Sequence, residues 1–222
     1  MAIDMRSVSA AELSVLETNK VLKNTYLLLS ATLGFSALTA LFSMSLGMPS
    51  GMAMILMIAA MVLGIFVLPR TANSAAGIGV VFLITGMLGF AIGPMLSMYL
   101  KLSSGPQVVL TALGGTAAIF VGLSAYAVNS KKDFSFMRGM LLGGMITVLV
   151  LVLAQMFLQM PALQLAISGF VILLMSGFIL METSSIVQGG ETNYIMATYG
   201  MYLSIFNIFI HLLAILGIMS ED

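Results

Sequence analysis

Seven long apolar runs, parted by short polar breaks, leave this chain almost no choice of architecture. They cover residues 25–46, 52–69, 75–98, 107–128, 138–159, 162–185 and 194–218. A helix crosses bilayer hydrocarbon with about 20 apolar residues, and each run is near that length. In lipid every backbone amide must find its partner inside the segment, so each run is predicted to be a helix. The breaks hold the Gly, Pro, Asn or charge that ends a helix: GMPSG at 47–51, PRTAN at 69–73, KLSSGP at 101–106, NSKKD at 129–133, MP at 160–161 and QGGETN at 188–193. The break at 160–161 is so short that the fifth and sixth helices form a tight antiparallel hairpin. Charged residues make up 7% of the chain, against about 25% in a soluble domain. The fold class is an all-α integral membrane protein.

Basic residues orient the bundle. Arg6, Lys20, Lys23, Arg70, Lys131, Lys132 and Arg138 gather on one side, and Lys101 stands alone on the other. The positive-inside rule makes the first side cytoplasmic, which puts the N-terminus inside and the C-terminus outside. Asp4, Glu12 and Glu17 occupy the stretch a cleavable signal would fill with basic residues. Residues 1–24 are therefore expected to be a cytoplasmic tail, and residues 25–219 the membrane domain. Within that tail Ser9-Ala-Ala-Glu12 has the spacing of a capping box that opens a short amphipathic helix.

Several chemistries are excluded. The chain has no cysteine, so disulfides, thiolate metal sites and cysteine nucleophiles are absent. Net charge is zero and the basic residues are scattered, which argues against nucleic acid. No lysine lies inside a run, so a retinal Schiff base has no attachment point. One histidine and no H-E-x-x-H pattern leave little to bind zinc. The 21 methionines fall at both ends and the middle of the runs, as flexible apolar filler does, not as a copper site. Ser124 and His211 have the look of a serine–histidine pair, but at about 1.5 Å per residue they lie roughly 20 Å apart in depth. No enzyme reading survives.

What remains is a polar stretch at residues 176–211. Glu182 is the only acidic residue inside an apolar run, and an intramembrane carboxyl is costly enough to mark function. Across the turn, Gly200, Ser204, Asn207 and His211 recur every three or four residues, along one face of a helix. Such a stripe would line a polar path from the inner face and couple ion passage to pH. The competing reading makes Ser204 and Asn207 plain interhelical bridges. Small residues form ridges elsewhere: Gly86, Gly89 and Gly93 on the third run, Gly115, Ala118, Gly122 and Ala125 on the fourth. Both ridges predict close helix packing, and Pro94 predicts a kink.

The segments SAY at 124–126, SKKDFSF at 130–136, METS at 181–184 and GETNYI at 190–195 resemble the Bax-inhibitor-one family of seven-span proteins. TNKVLKNTY at 18–26 and GFAIGP at 89–94 extend the likeness over essentially the whole chain, closest to the bacterial YccA-like branch. The resemblance implies six helices in two three-helix layers around a central seventh. It also implies a pH-sensitive calcium leak with paired carboxylates on helices six and seven. Glu182 matches the first position and Ser204 the second, so half of the pair is missing. Arg70 is the local candidate for a basic latch on the carboxylate. For the YccA-like branch the resemblance implies an inner-membrane protein that binds and inhibits the FtsH membrane protease, which grips a cytoplasmic tail. No resident cofactor is expected, calcium being the one candidate.

Overall fold

The computed structural model describes residues 10–220, which form seven helices of membrane-crossing length and apolarity. They are α1 (Ala10–Leu46), α2 (Ser50–Val62, a π-helical turn Leu63–Val67, then Leu68–Thr71), α3 (Ala75–Tyr99), α4 (Gly105–Ser130), α5 (Arg138–Leu158), α6 (Pro161–Val187) and α7 (Tyr194–Ser220). Among the described residues there is no strand. Pro161 opens α6 and Pro106 sits in the first turn of α4, where the missing N–H has no helical partner to lose. Pro94 is carried inside α3, which continues through it to Tyr99.

The chain does not change form at residue 25. α1 is continuous from Ala10, so residues 10–24, placed in a tail by their polarity, extend the first span as helix. The physical reason is an absence of breakers: no Gly or Pro occurs between Ala10 and Gly34. Ser9 of the expected capping box lies outside the described residues.

α3 packs against α1 and α2, and α6 packs against α4 and α5. α7 lies between these two groups, in contact with α1 and α3 on one side and with α4 and α6 on the other. This is the two-layer arrangement around a seventh helix. α3 is the most enclosed span, while α5 turns nearly all its surface to lipid.

The α3 glycine ridge is the α1–α3 seam. A side chain on Gly89 would strike the Ser36 carbonyl and the Thr39 hydroxyl, and one on Gly93 would strike Ser43. Gly86 admits the Phe35 ring in the same way. Such close approach is how helices gain packing energy where lipid offers no hydrophobic drive. The α4 ridge behaves differently. Gly115 meets Leu212, but Gly122 faces open space, because α4 packs through Ala112, Thr116, Ser124 and Ala127 instead.

One buried side chain ties α7 to the α1–α3 layer. The Tyr202 hydroxyl on α7 lies 2.6 Å from Ser36 Oγ on α1 and 3.2 Å from the Thr85 carbonyl on α3. Its ring stacks on Phe206. Polar clamps also fix the helix ends on the N-terminal side. Ser184 Oγ accepts from the Phe134 amide (3.1 Å) and donates to the Lys132 carbonyl (2.8 Å), and Gln188 donates to the Lys131 carbonyl (2.6 Å). The K-D-F-S-F segment is thereby held on the end of α6. Within it the Ser135 amide donates to Asp133 (2.8 Å) and holds that carboxyl below the usual carboxylate range. Its small contribution to loop order is thus present above the ordinary carboxylate range and lost as pH falls through the lowered one.

Candidate functional site

Glu182 lies within the last two turns of α6 and faces α7 at Gly200. A Cβ at Gly200 would collide with the Glu182 carboxylate, so glycine is what lets the carboxyl lie against the α7 backbone. Glu182 Oε2 is fully enclosed and takes no hydrogen bond. Among the described residues no lysine or arginine offsets it, and the charge that acts on it is the Glu191 carboxylate of the α6–α7 turn. Glu191 in turn accepts from the Asn193 amide (2.7 Å).

Other enclosed oxygens without a partner lie toward the same ends of neighbouring helices. They are Thr183 Oγ1 on α6, Ser124 Oγ on α4, and Thr25 Oγ1 and the Tyr26 hydroxyl on α1. A buried polar atom left without a partner costs about 1–3 kcal/mol, and several at one level make a weak point in the apolar barrier.

The α7 stripe is present but is used differently along its length. Ser204 donates back to the Gly200 carbonyl (3.1 Å), and Asn207 donates to the Leu203 carbonyl (2.8 Å). Both are satisfied on their own helix, so neither bridges to α6. His211 does bridge: its Nδ1 lies 3.0 Å from Ser168 Oγ on α6. Ser168 is fully buried, so this contact is an internal tie between α6 and α7. Arg70 is exposed at the end of α2, where its guanidinium donates to the Phe66 carbonyl. The latch on Glu182 is therefore not made: the guanidinium is engaged on its own helix.

As a calcium cage the site does not fit. Calcium takes six to eight oxygens, and among the described residues no three acidic or histidine groups converge anywhere.

Two residues that composition did not expose shape the surroundings. Asn193 caps α7, accepting from the amides of Ile195 (3.0 Å) and Met196 (3.1 Å), while its Nδ2 reaches the Ala72 carbonyl (3.1 Å) and Asn73 (2.8 Å) across the α2–α3 turn. An asparagine just before a helical run is the signal that could have found it. Tyr199 lays its hydroxyl over Gly64 inside the π-helical turn of α2, where a Cβ would clash. No local pattern announces that pairing.

A family model described as "Inhibitor of apoptosis-promoting Bax1" matches residues 18–221. The chain belongs to the Bax-inhibitor family. Among family members, "Modulator of FtsH protease YccA" of Escherichia coli K12 is 51% identical over 209 residues, 94% of each chain. An "Uncharacterized membrane protein" of Vibrio cholerae is 50% identical over 207 residues, 93% of each chain. An uncharacterized Pseudomonas aeruginosa protein is 44% identical over 207 residues, 93% of this chain and 92% of that one. These full-length identities place this Bax-inhibitor protein in the YccA branch.

Proposed function

We propose that this protein resides in the bacterial inner membrane, N-terminus cytoplasmic, and binds and restrains an FtsH-type protease. The observation that carries the reading is the 51% identity, over 94% of each chain, to the E. coli protein named as a modulator of that protease. A second E. coli relative of equal identity is named an inner membrane protein. On this reading the chain acts by binding, not by catalysis, and its contact is at the end where α1 projects and the polar clamps lie. The full chain should co-purify with the protease from bacterial membranes, and its overexpression should lengthen the half-life of another membrane substrate. Absence of both effects would discard the proposal.

A second reading rests on Glu182, whose enclosed Oε2 has no donor. In it the carboxyl is the titrating gate of a cation leak, with calcium as cargo and not a resident ion. Liposomes holding the full chain should leak calcium in a pH-dependent way, and Glu182→Gln should flatten that dependence. Equal flux from both proteins at acid and alkaline pH removes Glu182 as the gate.

A further inference from the structure

A cleft of about 550 Å³ opens between α1 and α4, floored by α3 and α7. From α1 it takes Leu33, Ala37 and Leu41, from α4 Leu113, Ala117 and Val121. These residues lie around and beyond the middle of the α1 and α4 spans, at a depth where the surroundings of a bilayer-crossing helix are hydrocarbon. The cleft is almost wholly apolar. Its polar floor groups are already engaged, Ser36 with Tyr202 and Thr116 with the Ala112 carbonyl. An occupant therefore meets no free donor or acceptor there.

Chemistry selects the occupant. A single extended hydrocarbon chain has no polar group to satisfy and needs none from the cleft. Charge selects its headgroup. Leu100 lines the surface end of the cleft, and the next residue, exposed Lys101, is the one lysine or arginine on that side of the membrane. A cation at the mouth of an apolar slot suits a phosphate above an acyl chain.

We propose that the α1–α4 cleft holds one acyl chain of a phospholipid from the leaflet opposite the N-terminus, with its phosphate at Lys101. The lipid fills a gap that the protein does not close for itself: α1 and α4 meet at the Tyr26 and Phe120 rings, near the inner end, and stand apart beyond them. Bulk lipid is as apolar as the cleft, so the preference comes from shape and from the phosphate.

The test uses the full chain in proteoliposomes with a phospholipid carrying a photoreactive diazirine on its acyl chain. Adducts mapped by mass spectrometry should concentrate several-fold on Leu33, Ala37, Ala117 and Val121 over Leu149 and Leu153, which face lipid on α5. Ala37→Phe with Ala117→Phe should abolish that enrichment without lowering thermal stability, because both positions point into open space. Lys101→Gln should lower the yield for the phospholipid and leave a diazirine fatty acid unchanged. Uniform labelling of cleft and α5 overturns the proposal. Because the chain is cysteine-free, a single Ala37→Cys also reports on a protein occupant. Efficient disulfide linkage of two copies through that position would show a second protein chain in the cleft and overturn the lipid.

Discussion

Replacing Gly89 by leucine will unseat α1 from α3 and cost about 3 kcal/mol or more, the upper range for overpacking. The nearest atom in the way is backbone: the Ser36 carbonyl cannot rotate aside as the Ser36 and Thr39 hydroxyls could. The measurement is thermal or denaturant unfolding in a mild detergent, with the same glycine-to-leucine change at Gly122 as the control. Gly122 faces open space, so its substitution should stay within about 0.5 kcal/mol of the native protein, as surface changes do. Equal losses at both positions would show that the α1–α3 seam is not a close-packed interface.

Gly200→Ala should be destabilising by about 1–2 kcal/mol, because the new methyl displaces the Glu182 carboxylate, a tip that can turn aside only within enclosed surroundings. The decisive point is the coupling. In a Glu182→Ala background the same change should cost little, giving a non-additivity of about 1–2 kcal/mol in a double-mutant cycle. Additive losses would mean that the carboxyl does not lie against α7. The cycle thus measures the central contact of the candidate site without presuming that it conducts anything.

Helix number and position were legible because lipid is a severe solvent. Each apolar run had to bury its amides within itself, and the six breaks carried residues that end helices. The α3 ridge was legible for a related reason, since glycines every three or four residues have few uses beyond close approach. The ridge on α4 misled, because small residues permit a seam but do not say which face meets a neighbour. That residues 10–24 run into the first span as one helix was not legible, because polarity argues against burial but marks no helix break. Glu182 stood out as a lone acid in an apolar run. Its surroundings did not, since Gly200, Glu191 and the engaged Arg70 depend on how distant segments meet. The same holds for Tyr202, whose hydroxyl finds a serine 166 positions away.

α1 has one more consequence. The 37 residues of Ala10–Leu46 make a single rod of about 55 Å, against a hydrocarbon thickness of about 30 Å. The excess is a stiff lever that leaves the bilayer beside the α6–α7 turn, where Glu17, Thr18 and Lys20 share a groove with Gly189 and Glu191. A pull on a slack leader is absorbed by the leader. A sideways pull on this rod is delivered as torque to the α1–α3 seam and to the Tyr202 bridge, so the load falls on packed helices and not on a loose segment.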